Sequence, residues 1–262
     1  MRNKLSAAFL KHIAYISMFI DHFFAVVFSY YVSMQRSQGF NTESLDVIYD
    51  TGRAIGRVAF VLFAFMAAEG FCHTRSRAKY LLRLGIFAII SEIPFDLAIE
   101  EGKFFAMDNQ NVYFTLFLGV LALCIIDKLH GHLIIQFLGV ALCCVAAAFL
   151  KTDYMFMGVM LIVVFYIFRE SFACQFLVGS VTIYVGIVLL YVVRYWGWGL
   201  PLAVFMESGM SEMYGLFAFV PIYFYNGQKG KQLPKACYYL FYPLHLLMLY
   251  GIKLLMLHIM AA

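Results

Sequence analysis

Apolar segments of membrane-spanning length follow one another along nearly the whole chain, and this succession constrains the fold more than any other feature. A helix needs about 20 apolar residues to cross a bilayer. Lipid offers the backbone no hydrogen-bond partners, so spanning segments are helices or closed barrels. The segments occupy residues 9–32, 54–72, 80–98, 111–127, 133–150, 154–168, 172–193, 212–225 and 236–260. They predict an all-α, polytopic transmembrane helix bundle.

The composition favours the same class. The chain is 64% hydrophobic and 13% charged, whereas soluble domains are about 45–50% apolar and about 25% charged. No small-residue cleavage site follows the first segment, so we expect it to remain as a span. Residues 1–262 are interpreted as one integral-membrane domain without an internal repeat. No long charge run indicates nucleic acid, and membrane lipids are the expected surroundings.

Basic residues orient the predicted spans, because Lys and Arg concentrate in cytoplasmic loops. The link after the second segment holds Arg75, Arg77 and Arg83, which places it and the N-terminus in the cytoplasm. The apolar stretch 196–206 is too short to cross alone and is interpreted as re-entrant or interfacial. Nine spans then leave the lysine-rich link 226–235 in the cytoplasm, whereas ten would place it outside.

The first segment carries ionisable residues, which are costly in hydrocarbon and usually face a cavity or a partner. Lys11 and His22 are eleven positions apart. At about 100° per residue they share a helix face, about 16 Å apart along the axis. His22 is a candidate catalytic base. Asp21 points elsewhere and is interpreted as an anchor for an arginine, although both residues could simply bond to neighbouring helices.

Two further segments carry charged pairs at helical spacing. Arg53 and Arg57 can grip a carboxylate or a phosphate, or they form ion pairs inside the protein. The candidate partners are Asp21, Asp50 and Glu92. Glu92 and Asp96 share a face around Pro94, which kinks a helix. These carboxylates could serve acid–base catalysis, but we favour counter-charges for the two arginines.

The last segment carries Tyr238, Tyr242 and His245 at i, i+4 and i+7, with Pro243 inside the stripe. His245 either has a structural role or faces the polar residues of the other spans. The chain has no HExxH motif, nucleophile elbow or P-loop, which disfavours metal, serine and ATP hydrolysis. Its six cysteines lack CxxC spacing and are interpreted as small hydrophobic residues, so we expect no metal.

Long strings resemble the TraX family, in the same order over nearly the whole chain. They are LKHIAYISMFIDH (10–22), GRAIGRVAFVLFAFMAAEGFCHTRSRAKYLLRLGIFAIISEIPFDLA (52–98), NVYFTLFLGVL (111–121), DYMFMGV (153–159), FYNGQKG (224–230) and FYPLHLLML (241–249). TraX proteins are bacterial inner-membrane proteins, and the type member N-acetylates the pilin of conjugative F-like pili. The resemblance implies a multi-pass protein of the bacterial inner (cytoplasmic) membrane that uses acetyl-CoA as co-substrate.

A weaker similarity links the chain to the acyltransferase-3 membrane acyltransferases. That family carries a basic residue and a histidine eleven positions apart on its first helix, which Lys11 and His22 match. Its paired arginines are two residues apart, whereas Arg53 and Arg57 have three residues between them. The similarity implies an acyltransferase-3-like bundle.

Together the two resemblances imply roles for particular residues. The candidate catalytic residues are His22, Asp21, His245 and Glu92. The candidate acetyl-CoA ligands are Lys11, Arg53, Arg57, Arg75, Arg77 and Arg83. The acceptor would be an amine or hydroxyl of a pilin-like protein, an envelope glycan or a small molecule, with direct transfer and an acetyl-enzyme both open. The alternative is a non-enzymatic carrier or an interaction component of a secretion or pilus system.

Overall fold

A computed structural model describes residues 4–100, 103–104, 106, 109–195 and 211–261, and their regular structure is helical. The helices are α1 (Ala7–Phe23), α2 (Ser29–Ser37), α3 (Glu43–His73), α4 (Arg77–Ile99), α5 (Val112–Lys128), α6 (Leu133–Phe149), α7 (Met155–Ile167), α8 (Phe172–Tyr195), α9 (Phe219–Tyr223) and α10 (Lys235–Ala261). A π-helical turn, Phe24–Phe28, joins α1 to α2, and a 3₁₀ helix, Met213–Ala218, precedes α9. The short apolar stretch 196–206 lies outside the described residues.

The all-helical prediction is confirmed for the described residues, and α4 to α8 agree closely with the predicted segments. The second predicted segment is wrong at its start, because α3 begins at Glu43 within a stretch expected to be a polar link. Asn41 accepts a hydrogen bond from the Glu43 N–H at 2.9 Å, and Arg36 pairs with Asp46 at 2.8 Å. Acidic residues also suit the positive end of a helix dipole, so polar contacts extend α3 beyond its apolar part.

Within the described residues, four helices are long and apolar enough to cross a membrane. They are Ala7–Ser37, Glu43–His73, Phe172–Leu189 and Lys235–Ile259. Shorter apolar helices occupy Leu133–Phe149, Met155–Ile167 and Met213–Tyr223. On α6 a row of large apolar side chains is exposed, as expected for a face that meets lipid. It includes Leu133, Ile134, Phe137, Leu142, Val145 and Phe149.

Helix α3 is the centre of the bundle. In its most apolar 18-residue window 56% of the residues are buried, against 28% in the other three long helices. It packs against α1, α5, α7 and the 3₁₀ helix. A Cβ atom at Gly52 would lie 2.1 Å from the Phe24 ring, and one at Gly56 would lie 2.2 Å from Asp21 Oδ1. These two glycines, four residues apart, allow the close approach of α1 to α3.

Candidate active site

Two histidines from opposite ends of the chain meet inside the bundle. The Nδ1 atom of His22 lies 2.6 Å from the Nε2 atom of His245, and the two rings stack with their centroids 4.9 Å apart. His22 is on α1 and His245 is on α10, where it is 4% exposed. Of the two interpretations of His245, the one in which it faces polar residues of the other spans agrees with this contact.

The neighbours of His245 determine which nitrogen atoms carry protons in the neutral pair. Nδ1 of His245 lies 2.8 Å from the backbone carbonyl of Phe241. A carbonyl can only accept, so Nδ1 of His245 is the donor and its Nε2 carries a lone pair. Nδ1 of His22 then donates to that lone pair. The lone pair of His22 is left on Nε2, in the tautomer that a general base requires.

A cluster of charged residues adjoins His22 in sequence and in space. Arg53 pairs with Asp21 at 2.7 Å, and Arg57 lies 3.5 Å from the other oxygen of the same carboxylate. Arg57 also pairs with Glu212 at 2.7 Å. The interpretation of Asp21 as an anchor for an arginine is confirmed. The Asp21 carboxylate fits against Gly56, which has no side chain to block it. Asp21 therefore both packs α1 against α3 and holds the two guanidinium groups.

A cavity of about 2100 Å³ contains this cluster, and we call it the arginine-lined cavity. Its lining includes His22 and the charged side chains Asp21, Arg53, Arg57, Asp153 and Glu212. Apolar residues of α3 and of the 3₁₀ helix complete much of the wall. The cavity therefore offers both charges and apolar surface to a bound molecule beside His22.

A strained turn between α6 and α7 presents three polar residues, Thr152, Asp153 and Tyr154, to the arginine-lined cavity. Lys151, Tyr154 and Met155 have φ of 51°, 61° and 41°, which is unfavourable for residues other than glycine. Tyr154 stacks on Phe60 at 3.7 Å, and its hydroxyl lies 3.5 Å from Arg57. Burial raises the pKa of Asp153 to about 7 against the opposing charge of Arg57. Near neutral pH this carboxyl group can therefore exchange a proton.

A second cavity of about 390 Å³ lies against α1, and we call it the tyrosine-lined cavity. Its tyrosines are Tyr15, Tyr80, Tyr113, Tyr225, Tyr238, Tyr239 and Tyr242. Its cationic side chains are Lys11, Arg83, Lys229 and Lys235. Lys11 donates to Gln232 at 2.8 Å and lies 4.4 Å from the centre of the Tyr238 ring. The Nε atom of Arg83 is buried without a hydrogen-bond partner among the described residues.

Helix α1 contributes residues to the walls of both cavities. Lys11, Tyr15 and Met18 line the tyrosine-lined cavity, and His22 continues the same stripe at i, i+4, i+7 and i+11. The neighbouring stripe faces the arginine-lined cavity through residues such as Ser17 and Asp21. Lys11 and His22 lie on one uninterrupted α-helix, as predicted, but Lys11 lines the tyrosine-lined cavity and His22 lines the arginine-lined cavity.

The six cations predicted to bind acetyl-CoA do not form one group. Lys11 and Arg83 line the tyrosine-lined cavity, whereas Arg53 and Arg57 line the other one. Arg77 forms an ion pair with Asp127 and lies over the Phe71 ring. Arg75 is exposed and lines neither cavity. Arg53 and Arg57 lie in the first half of α3, so the length of this helix separates them from the basic link that follows it.

The expectation that Glu92 and Asp96 neutralise the two arginines is wrong. Glu92 accepts hydrogen bonds from Asn111, which caps α5 by accepting from the Tyr113 N–H at 3.0 Å. Asp96 is fully buried and accepts from the Ala106 N–H at 2.9 Å. Neither carboxylate is among the residues that line the two cavities, so the contacts of Glu92 are those of a structural residue.

Several residues of the site were missed by the sequence reasoning. Glu212, which pairs with Arg57, stands at the start of an apolar stretch and was read only as a boundary. Lys229 and Lys235 were used only to orient the chain. Tyr242 was noted within the polar stripe of the last segment and given no role. The position of Tyr242 beside Pro243 and three residues before His245 is the sequence signal that could have identified it as a site residue.

The fold and site define a class, a protein whose described residues form helices, several of them long and apolar enough to cross a membrane, with two histidines in contact inside the bundle. The model of the TraX protein family matches residues 6–253, and the chain belongs to this family. It is also 29% identical over 262 residues to a protein of Dichelobacter nodosus described as probable fimbrial assembly protein FimC, serogroup H1. That alignment covers 95% of this chain and 96% of the relative. No solved structure matches.

Proposed function

We propose that this protein is a membrane-embedded acetyltransferase that moves an acetyl group from acetyl-CoA to an amine or a hydroxyl. The observation that carries the proposal is the contact of His22 with His245 between two cavities of different chemistry. In this arrangement His22 is an oriented base, and acetyl-CoA bound in one cavity could meet the acetyl acceptor bound in the other beside it. The proposal is also supported by the spacing of Lys11 and His22, which resembles that of acyltransferase-3 membrane acyltransferases.

The tyrosine-lined cavity suits the donor. Ammonium and guanidinium groups bind phosphates through charge-assisted hydrogen bonds, and Lys11, Arg83, Lys229 and Lys235 provide four such groups. The volume of 390 Å³ lies within the range of about 300–1,000 Å³ that is usual for small-molecule sites. The pantetheine arm would extend along the stripe of α1 toward His22. In the proposed orientation this cavity opens to the cytoplasm of a bacterial cell.

The acceptor would occupy the arginine-lined cavity. As its nitrogen or oxygen attacks the thioester carbonyl carbon, Nε2 of His22 takes the proton from the attacking group. The C–S bond then breaks, and the imidazolium of His22 returns this proton to the sulfur to release CoA–SH. The step balances without a metal or another co-reactant. His245 is a positioning residue in this scheme, because it acts through the tautomer of His22.

The name of the D. nodosus relative suggests which acceptor to test first. We propose a fimbrial or pilin-like protein, with an envelope glycan or a small molecule as the next candidates. The same name also favours a second function, in which the chain is a non-enzymatic component of fimbrial assembly. Such a component would need neither acetyl-CoA binding nor the histidine pair.

The test uses the full chain in membrane vesicles from an expressing strain, supplied with acetyl-CoA radiolabelled in the acetyl group. We expect label to enter envelope material and CoA–SH to appear, and both signals to be lost in His22→Ala. His12→Ala is the matched control, because His12 lies on the same helix, is exposed and lines neither cavity. Full transfer by a stably inserted His22→Ala protein would overturn the assignment. Absence of acetyl-CoA binding by the wild-type protein would favour the assembly component.

A further inference from the structure

Tyr242 is the side chain through which the tyrosine-lined cavity reaches the histidine pair. It lines the cavity and is 2% exposed. The centroid of its ring lies 5.8 Å from that of His22 and 5.7 Å from that of His245, in edge-on contacts. A group at this end of the cavity would therefore lie beside both Tyr242 and the proposed base.

The hydroxyl proton of Tyr242 has no acceptor among the described residues. The backbone N–H of Val112 approaches the hydroxyl oxygen, but an N–H is itself a donor. Val112 is the first residue of α5, so this N–H belongs to the positive end of a helix dipole. Buried tyrosine hydroxyls usually find a partner. We therefore expect the acceptor for Tyr242 to come from a bound molecule.

Neighbouring tyrosines of the same cavity do have acceptors. Pro243 lacks an N–H, which leaves the carbonyl of Tyr239 without its usual partner in the helix. The hydroxyl of Tyr113 donates to that carbonyl at 3.2 Å. The hydroxyl of Tyr15 donates to another carbonyl of α10 at 2.8 Å. These two hydroxyls hold helices together, whereas the proton of Tyr242 remains available.

We propose that Tyr242 is a catalytic residue that donates a hydrogen bond to the carbonyl oxygen of the acetyl thioester. This role rests on the proposed acetyl transfer. When the acceptor attacks the carbonyl carbon, the π electron pair moves onto the oxygen, and the oxyanion strengthens the hydrogen bond from Tyr242. When the C–S bond breaks, the pair returns to form the new carbonyl. Tyr242 keeps its proton throughout, and His22 alone transfers one.

The test compares two stable analogues of acetyl-CoA by titration calorimetry on the purified full chain. S-acetonyl-CoA has a carbonyl oxygen, whereas S-propyl-CoA has the same carbon chain without it. A neutral hydrogen bond predicts about fivefold tighter binding of the acetonyl analogue to the wild-type protein, and Tyr242→Phe reduces this ratio to about one. Tyr250→Phe is the matched control and keeps the ratio, because Tyr250 lies on the same helix as Tyr242 and lines neither cavity. Turnover of Tyr242→Phe falls about 10²–10³-fold with little change in KM.

Each result decides between the hypotheses. Equal binding of the two analogues by the wild-type protein, or an unchanged ratio in Tyr242→Phe, overturns the role of Tyr242 and leaves acetyl transfer standing. Failure of acetyl-CoA and both analogues to bind overturns acetyl transfer itself. If Tyr242→Phe does not fold, 3-fluorotyrosine at the same position keeps the hydroxyl and makes it a stronger donor. The infrared carbonyl band of bound S-acetonyl-CoA then shifts further to low frequency, and an unchanged band overturns the role.

Discussion

Replacement of His245 by leucine tests whether this residue positions His22. Leucine removes the acceptor for the Nδ1 proton of His22, which now lies 2.6 Å from Nε2 of His245. An unpaired buried donor costs about 1–3 kcal/mol. His22 can avoid that cost by adopting the other tautomer, in which Nε2 carries the proton and cannot act as a base. At about 1.36 kcal/mol per tenfold change in rate, kcat falls about 5- to 150-fold.

The assay follows CoA–SH release with a thiol reagent and separates kcat from KM for acetyl-CoA. We expect KM to be unchanged, because His245 lines neither cavity. His245→Gln is the matched variant, because the amide oxygen of glutamine can accept a hydrogen bond from Nδ1 of His22, whereas leucine cannot. Melting temperatures show whether both variants fold. Full kcat in a folded His245→Leu protein, or equal losses in the leucine and glutamine variants, would refute the positioning role.

Two further predictions concern packing and donor binding. In Gly56→Ala the new Cβ would lie 2.2 Å from the Asp21 carboxylate and would force it to move. We expect a melting temperature several degrees lower and reduced acetyl transfer. The control is Gly251→Ala, which has no neighbour within 4 Å and should preserve both. We expect Lys11→Gln to weaken binding of acetyl-CoA but not of acetyl-pantetheine, which lacks the nucleotide phosphates. The control is Arg75→Gln at an exposed position, which should affect neither thioester. Equal losses for both thioesters in Lys11→Gln would show that Lys11 does not bind phosphate.

Local periodicity accounts for the parts of the fold that could be predicted. Helices α4 to α8 match their apolar segments because polar links interrupt them on both sides. The first turns of α3 escaped prediction because they are sustained by polar contacts rather than by apolar burial. These contacts are the hydrogen bond from the Glu43 N–H to the Asn41 side chain and the ion pair of Arg36 with Asp46. The π-helical turn after Phe23 has no local signal either. It lies where Phe24 packs against Gly52, which is a tertiary contact.

In the site too, features within one segment could be predicted, whereas contacts between distant segments could not. The stripe from Lys11 to His22 follows from helical geometry within one segment and was predicted. The contact of His22 with His245 joins residues 223 positions apart, so spacing could nominate both histidines but could not show that they touch. Among the candidate partners of Arg57, Asp21 was predicted correctly, whereas Glu92 does not contact it and Glu212 was not a candidate. Helical spacing gives the face on which a carboxylate lies, but it does not tell which helix packs against that face.

Helix α1 lines both cavities, and this has a consequence for the permeability of the membrane. One cavity has lysines at its wall and the other has ion pairs. Met18, 6% exposed, lies at the wall of the tyrosine-lined cavity, four residues before His22. We expect that Met18→Ala would leave a gap through which water could reach His22 and carry protons. For the proposed membrane acetyltransferase, the bulk of this apolar side chain would then help to keep the bilayer tight to protons, a requirement that no soluble enzyme faces.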